Sequence, residues 1–303
     1  MSEHPISRFA RYLNRPEHAA YVFIAPSFLV LTTFLVVPVA IAFFLGFFKL
    51  DIFLQKMQYI GFTNFVRALS DSRVENAFRN TLYYMAGEIP LQVVVALLVA
   101  LYVAPNTLFR KSLRSVYFLP VVCSMTAVGI IWSLMLDPVL GTLPYYLTKL
   151  GFPRMAFLRT PSLAMPAVIT TTVWKNFGFS MVIFVAGLQS IPLSYYEAAQ
   201  MDGCGPARRF FSITIPMLLP TLGFVTITTT IGGFQVFDQV FVMTQGGPLF
   251  RTETVVQYIY SRGFTAPYEL GYASAIAEVL FLCIMAVTLV MYNYFVKREV
   301  DLT

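Results

Sequence analysis

The chain has 303 residues, of which 57% are hydrophobic and only 12% are charged. Soluble domains carry about 25% charged residues, so this composition argues against a soluble protein. The two histidines, His4 and His18, both precede the first apolar run, which argues against a haem or di-metal site in the membrane. Three widely spaced cysteines offer no disulfide framework and no metal-binding pair. The net charge of +6 fits a basic fringe beside a membrane and does not indicate nucleic-acid binding.

Long stretches without Asp, Glu, Lys or Arg organise the whole chain. Crossing about 30 Å of hydrocarbon takes about 20 helical residues, and lipid leaves no backbone group unpaired, so such stretches must be helices. We expect the first stretch to remain in the mature protein and not to be removed as a signal peptide, because it is longer than a signal-peptide core and lacks a small-residue cleavage site. The pattern predicts an all-α membrane protein, one domain over residues 1–303, with six transmembrane helices at about 19–48, 80–104, 115–137, 162–191, 214–243 and 272–297.

The distribution of positive charge indicates how these helices are oriented in the membrane. Lysines and arginines are equally numerous on the two predicted sides of the membrane. On the side that holds both termini, which includes Arg8, Arg11 and Arg15, they lie in shorter segments, and charges in short segments beside span ends weigh most in the positive-inside rule. The pattern favours both termini in the cytoplasm.

Residues 192–213, between the fourth and fifth predicted spans, carry specific local signals. Ser194 followed by Glu197 predicts a capping box, with a helix that begins directly after the serine. Gly203 suits the left-handed conformation that ends a helix, and Pro206 suits the first turn of a second helix. We expect two short helices joined by a corner, and we call this segment the elbow.

Four ionisable residues, Glu88, Lys175, Asp238 and Glu278, fall in or near the predicted spans. Ionised groups cost several kcal/mol at the bilayer centre, so they usually face a cavity or one another. One interpretation is a hydrophilic pocket for a hydroxyl-rich ligand. A structural ion pair, a lysine that reaches the interface, and a proton relay in a secondary carrier are the alternatives.

Other features limit the chemistry of the chain. It contains no GxxxxGK[ST] motif and so has no P-loop for ATP. It also lacks a membrane histidine and a nucleophile–base arrangement, which argues against an enzyme. Aromatic residues such as Tyr83 and Tyr84 are expected to anchor helices at the membrane interface or to face lipid.

The elbow carries a recognisable motif. Glu197-Ala198-Ala199, followed by Asp202-Gly203 and Gly205, resembles the EAA signature of binding-protein-dependent ABC transporter permeases. Weaker motifs in family order extend the resemblance over roughly residues 20–297, and they are similar to the carbohydrate-uptake branch with its maltose-type and glycerol-phosphate-type permeases. These motifs include Asn80-Thr81, Tyr117-Phe118-Leu119-Pro120, Val173-Trp174-Lys175, and Thr244 to Pro248.

The resemblance implies a permease subunit of an ATP-driven importer for a carbohydrate or polyol, in a bacterial or archaeal inner membrane. It implies a second homologous permease, two cytoplasmic ATPase subunits that hold ATP and Mg²⁺, and an external substrate-binding protein that docks on loops including Gly246, Gly247 and Pro248. This chain itself is expected to bind no cofactor and no metal. The elbow becomes the coupling helix that contacts the ATPase, through Glu197, Ala198, Ala199, Asp202, Gly203, Gly205 and Arg209.

Relatives of the maltose type imply a sugar site between the fourth and fifth spans. The glycine pair at 232–233 departs from the bulkier contacts of those relatives, so sugar, polyol and glycerol phosphate all remain open as ligands. A proton-coupled secondary carrier remains the alternative function. The candidate ligand contacts are Trp174, Lys175, Asn176, Phe179, Thr229, Gly232, Gly233, Val236 and Asp238.

Overall fold

The computed structural model describes residues 16–50 and 57–300. His4, Arg8, Arg11 and Arg15, on which the predictions for the N-terminal segment rest, lie outside these residues. The N-terminal helices α1 (Pro16–Leu31) and α2 (Val37–Leu45) are joined by a π-helical turn, and a short antiparallel hairpin follows, with β1 (Phe48–Leu50) paired to β2 (Met57–Tyr59). The sequence analysis did not predict this hairpin.

The rest of the described chain is helical. The helices are α3 (Thr63–Ser70), α4 (Ser72–Val103), α5 (Leu108–Val122), α6 (Met125–Met135), α7 (Thr142–Lys149), α8 (Pro161–Ser190), α9 (Leu193–Met201), α10 (Pro206–Arg209), α11 (Ile215–Met217), α12 (Leu219–Phe234), α13 (Asp238–Met243), α14 (Val255–Phe264) and α15 (Leu270–Val300).

Four helical segments are individually long and apolar enough to cross a membrane. They are Ala20–Leu45, Ser72–Val103, Pro161–Ser190 and Leu270–Phe295. Two further candidates are bent pairs, by 93° between α5 and α6 and by 65° where Pro206–Met217 meets α12. The chain therefore has up to six spans if each bent pair counts as one. The second candidate begins at Ser72, eight residues before the predicted start at 80.

Both bends have causes in the local sequence. Between α5 and α6, Cys123 and Ser124 adopt extended ψ angles of 144° and 136°, which ends one helix and begins the next. Between α11 and α12, Pro216 and Pro220 stand four residues apart. Because Pro220 has no N–H, it cannot bond the carbonyl of Pro216, and its ring crowds that carbonyl. Charge-free length alone did not reveal these interruptions.

The long helices α4 and α8 form the centre of the bundle. Small side chains, among them Ala77, Ala96 and Ala100 of α4, are fully buried and allow the backbones to approach closely. Met181 and Phe184 of α8 are also fully buried. Helix α12 packs against both members of this pair, and α15 packs against α12, so residues on the inner faces of α4, α8 and α12 lie in the interior.

One end of the bundle is fastened by Asp71, which precedes α4. Its carboxylate accepts hydrogen bonds from the Tyr258 hydroxyl at 2.8 Å, the Tyr272 hydroxyl at 2.7 Å and the Arg73 N–H at 2.8 Å. Burial alone raises the pKa of Asp71, but these hydrogen bonds outweigh burial and hold the pKa below its usual value. The carboxylate thereby joins the start of α4 to α14 and α15.

Gly178 permits the close crossing of α8 and α5. A Cβ at this position would collide with the carbonyl oxygen of Tyr117 and lie 3.2 Å from the Cα of Phe118. Both neighbours are backbone atoms, which cannot rotate away. The crossing holds α5 against the interior face of α8, and it requires a glycine.

We predict that Gly178→Ala destabilises the protein by about 1–3 kcal/mol, the usual cost of overpacking, because α5 must move away from α8. Thermal unfolding in detergent measures the change. Gly232→Ala is the matched control, since it lies in a helix and a Cβ there meets nothing within 4 Å. Equal unfolding midpoints for the two variants would contradict the role assigned to Gly178.

Candidate functional site

A polar cavity of about 220 Å³ lies between α4, α8 and α12. Its polar lining repeats every four residues, which places the side chains of each helix on one face. Tyr84, Glu88 and Gln92 supply this face on α4, and Thr172, Asn176 and Ser180 supply it on α8. The remaining lining residues are Val121, Phe179, Thr228, Thr229, Gly232 and Gln239.

Hydrogen bonds order part of this lining and leave acceptors free. The Gln92 amide donates to the Ser180 hydroxyl at 3.0 Å, and the Gln239 amide donates to the Tyr84 hydroxyl at 3.0 Å. The amide oxygen of Gln92 and the Oε2 atom of Glu88 are buried without a hydrogen-bond partner among the described residues. Unpaired buried acceptors are costly, so the cavity favours a ligand that donates hydrogen bonds.

Five of the nine predicted ligand contacts lie at or beside this cavity. The ammonium group of Lys175 lies beside the lining, where it donates to the Val121 carbonyl at 3.3 Å and to the Asn176 side-chain oxygen at 3.4 Å. It therefore positions two lining residues. The four predicted residues in the lining itself are Asn176, Phe179, Thr229 and Gly232.

The other four predicted contacts lie outside the lining. Trp174 is 43% exposed and packs edge-on against Trp132, with 5.6 Å between ring centroids. Gly233 faces the side chain of Met85, and Val236 is buried in the core. Asp238 begins α13 and forms no ion pair with Lys175 in the part of the chain that the structure describes.

Several cavity residues were absent from the predicted site. The expectation that Tyr84 anchors a helix at the interface or faces lipid is wrong, because the residue is 1% exposed and faces the interior. The signal available in the sequence was the four-residue spacing of polar side chains inside otherwise apolar spans. The residues missed in this way are Tyr84, Gln92, Thr172, Ser180, Thr228 and Gln239.

The elbow has the predicted shape but not the predicted N-terminal cap. Helix α9 begins at Leu193, its N-cap residue is Pro192, and no side chain provides a capping hydrogen bond. The capping box of Ser194 and Glu197 is therefore wrong. Pro192 is extended at ψ 134° and has no N–H to satisfy, so it starts the helix upstream of the serine. Glu197 is left exposed.

The corner of the elbow confirms the roles expected for two residues. Gly203 adopts φ +73°, its N–H bonds the Gln200 carbonyl at 3.1 Å, and the Cys204 N–H bonds the Ala199 carbonyl at 2.9 Å. This pair of bonds is a Schellman motif, which ends a helix at a left-handed residue. Pro206 then begins α10, as predicted.

The elbow presents most of its predicted coupling residues to the surface. Glu197, Ala198, Asp202, Gly203 and Gly205 are exposed. Ala199 is buried at 9% exposure and packs within this chain, and the Nε of Arg209 is enclosed without a hydrogen-bond partner among the described residues.

A hydrogen bond connects the elbow to the helices beyond it. The Tyr196 hydroxyl lies 3.0 Å from the Thr214 hydroxyl. Only Ile191 and Pro192 separate the end of α8 from the start of α9. The elbow is thus attached to α8 directly and, through Thr214, to the segment that leads into α12.

The glycine turn predicted to meet an external protein is internally bonded. Gly246 is buried, with φ +84°, and its carbonyl accepts the Thr252 N–H at 3.2 Å. The Thr252 hydroxyl donates to the Gly247 carbonyl at 2.7 Å. Leu249 and Phe250, at 79% and 51% exposure, provide the open surface just beyond Pro248.

No group of three or more His, Cys, Asp or Glu side chains suited to a metal ion occurs within residues 16–50 and 57–300.

The arrangement that remains is a bundle of apolar helices around a polar cavity, with an exposed elbow at one end. These features define a membrane transport subunit. Residues 92–300 match the family described as "Binding-protein-dependent transport system inner membrane component". The chain belongs to this family and is a permease subunit of an ABC importer, as the EAA motif indicated.

Relatives match nearly the whole chain. A probable ABC transporter permease protein, YurN of Bacillus subtilis, is 32% identical, with 93% of this chain and 98% of that protein covered. The sulfoquinovosyl glycerol transport system permease protein SmoG of Agrobacterium fabrum is 33% identical, with 96% and 94% covered. The sn-glycerol-3-phosphate transport system permease protein UgpA of the same organism is 30% identical, with 92% and 94% covered.

Solved structures show the same fold. A chain of a bacterial ABC transporter involved in the import of the acidic polysaccharide alginate superposes with a TM-score of 0.81 at 22% identity, with 96% of this chain and 99% of that chain covered. A second structure, of the alginate transporter with an alginate pentasaccharide-bound periplasmic protein, gives a TM-score of 0.78 at 23% identity, with 94% and 96% covered. The predicted all-α importer fold is confirmed.

Proposed function

We propose that this permease subunit carries a neutral carbohydrate or polyol through the cavity between α4, α8 and α12. The observation that carries the proposal is the lining itself, which combines hydroxyl groups, amides and the ring of Phe179 with free hydrogen-bond acceptors. Hydroxyl-rich ligands donate many hydrogen bonds and present apolar ring faces. The names of SmoG, UgpA and the alginate importer support only the carbohydrate or polyol class, since each concerns a sugar or glycerol derivative and two of these compounds, glycerol 3-phosphate and alginate, are acidic. The preference for a neutral ligand rests on the lining alone.

The charge of the lining favours a neutral ligand over glycerol phosphate. Glu88 is the one ionisable acid in the described lining, and no lysine or arginine is part of that lining. A phosphate or sulfonate would therefore face a carboxyl group, with no cation in the lining itself. The ammonium group of Lys175 is already engaged with Val121 and Asn176.

We expect ligand binding to show this preference. The substrate-binding protein that works with this permease, titrated with neutral sugars, polyols, glycerol 3-phosphate and uronic acids, should bind a neutral compound, and only that compound should stimulate uptake. Calorimetry on the binding protein and uptake into vesicles measure both steps. Selective uptake of a phosphate or uronate would contradict the proposal.

The elbow is proposed to couple this subunit to ATP hydrolysis. The exposed helix α9, with Glu197 and Ala198 on its surface, offers a docking element for a cytoplasmic ATPase. Its links to α8 and to Thr214 provide a route by which movement of the elbow reaches two walls of the cavity. Alternating access would follow when the ATPase pulls the elbow and the spans reorient.

The complete importer is proposed to contain a second homologous permease, two ATPase subunits that bind ATP and Mg²⁺, and an external binding protein. The elbow and both termini would face the cytoplasm, in a bacterial or archaeal inner membrane with its lipid. The proton-relay alternative has little support, since no hydrogen bond or ion pair within the described residues joins any two of Glu88, Lys175, Asp238 and Glu278.

We predict that Gly203→Val weakens assembly with the ATPase and lowers substrate-stimulated ATP hydrolysis at least fivefold, because a β-branched residue opposes the left-handed corner. Co-purification and ATPase assays in proteoliposomes measure the two effects. Gly151→Val is the matched control: this glycine likewise has a positive φ, of +90°, and open space around it, but it lies in a different loop. Unchanged assembly and ATPase activity in Gly203→Val would remove the docking role.

We also predict that Asn176→Ala raises the substrate concentration needed for half-maximal uptake by about tenfold while assembly stays intact, because one to two hydrogen bonds to the ligand are lost. Uptake kinetics in vesicles test this. Trp174→Phe serves as the control, since Trp174 is two residues away and outside the lining. If both variants transport like the unmodified protein, the cavity is not the ligand site.

A further inference from the structure

A second concave site lies at the opposite end of the bundle from the elbow. Its volume is about 310 Å³, and its polar lining includes Arg79, Asn80, Tyr83, Ser162 and Arg251. We call it the outer cleft. Helix α8 begins at this cleft with Pro161 and ends at Ser190, just before the elbow. Its 30 residues span about 45 Å, so the two sites are on opposite faces.

The two arginines of the outer cleft differ from the other arginines of that face. Ion pairs join Arg67 to Glu269 at 2.6 Å, Arg73 to Glu253 at 2.7 Å, Arg159 to Asp137 at 3.4 Å and Arg262 to Glu269 at 3.6 Å. A fifth, Arg154, donates to the Val139 carbonyl at 3.2 Å. Within the described residues, no hydrogen bond, ion pair or ring contact involves the side chain of Arg79 or Arg251.

The backbone around these arginines is held firmly. Asn80 donates to the carbonyls of Phe250 and Glu253 at 2.7 and 2.9 Å, and the Thr81 hydroxyl accepts the Val255 N–H at 3.1 Å. These bonds fix the segment that carries Arg251 against the helix that carries Arg79. The fold therefore brings two like charges into the lining of one cleft.

The nearest acidic residue along α4 does not neutralise the cleft. Glu75 precedes Arg79 by four residues, a spacing that often forms an ion pair. Instead Glu75 lines a separate cavity beside Ala68 and Ile276 and makes no ion pair with Arg79. No Asp or Glu side chain contributes to the described lining of the outer cleft.

We propose that the outer cleft receives acidic side chains of the external substrate-binding protein, and that Arg79 and Arg251 form the charged centre of that docking surface. This inference rests on the importer function proposed above and adds a specific contact to it. Guanidinium groups bind carboxylates in a two-pronged geometry, and the Tyr83 side chain, 53% exposed, offers an adjoining interface aromatic.

An anionic transport substrate fits the same cleft less well. The central cavity lies further along the same helix, with Glu88 nine residues or about 13 Å from Arg79. An anion attracted to the cleft would next meet that carboxyl group. A protein partner stays outside and meets only the cleft, so the charges of both sites are consistent with an acidic docking protein.

The test measures binding of the substrate-binding protein to the complete importer in phosphatidylcholine nanodiscs by surface plasmon resonance. We expect the double variant Arg79→Glu with Arg251→Glu to raise Kd at least tenfold, mainly through slower association. Its binding should also lose most of the salt dependence seen with the unmodified importer. The milder pair Arg79→Ala with Arg251→Ala should show a smaller change in the same direction.

The control is Arg154→Glu, an exposed arginine on the same face but outside the cleft, which should change Kd less than twofold. An equal effect of Arg154→Glu would overturn the assignment, because a general attraction to this face would then suffice. Unchanged Kd in both double variants would also overturn it. So would an effect that appears only with phosphatidylglycerol in the nanodisc, which would assign the cleft to lipid headgroups.

These results separate the docking proposal from the importer function on which it rests. If the unmodified importer assembles and binds its partner but the cleft variants bind equally well, only the docking assignment fails. If the unmodified permease neither assembles with an ATPase nor binds an external protein, the proposed function fails. Unfolding midpoints in detergent verify that each variant remains folded.

Discussion

The burial of polar side chains between α4 and α8 is the constraint on which the rest of the structure depends. Lipid cannot hydrogen-bond a glutamine, a threonine or a carboxyl group, so a span that carries such groups must turn them towards another span. Gln92 meets Ser180 across this contact. Small residues such as Ala96 and Ala100 continue the contact on the elbow side of the cavity and bring the two backbones close. The cavity lies where the facing side chains are polar and leave space.

Helix α8, one partner in this contact, also connects the cavity directly to the elbow. Helix α8 lines the cavity with Asn176 and Ser180 and ends at Ser190, from which the elbow begins after two residues. A rigid helix transmits rotation or translation along its axis. The bends that interrupt the neighbouring segments, between α5 and α6 and between α11 and α12, provide places where such movement changes an angle without unpairing a continuous helix.

The sequence predicted those features that depend on local or one-dimensional signals. Charge-free length located the apolar helices, because hydrocarbon thickness sets that length directly. Gly203 and Pro206 located the corner of the elbow, because their backbone preferences act without tertiary contacts. The cap at Ser194 was wrong because Pro192, two residues upstream, started the helix first. A four-residue repeat from Tyr84 to Gln92 was also readable, yet which face it occupied depended on packing.

Other features depended on contacts between distant segments. The placement of Trp174 outside the lining follows from how neighbouring helices pack, since its ring contacts Trp132 of α6. The ion pairs between arginines and carboxylates at the outer end also depend on contacts between distant segments. Arg67 and Glu269 are 202 residues apart, so no local pattern distinguishes a paired arginine from Arg79.

The distribution of charge along α4 connects the two proposed sites. From its outer end inwards, the helix presents Arg79 to the outer cleft and then Glu88 and Gln92 to the central cavity. A positive site next to an exterior partner favours encounter with an acidic surface, whereas the inner acceptors favour a neutral donor of hydrogen bonds. Because α4 carries both sets, the proposed docking at the cleft and the proposed movement at the cavity would act on the same helix. A shift of α4 on docking would alter its contact with α8, which is also the wall that the proposed movement of the elbow would reach.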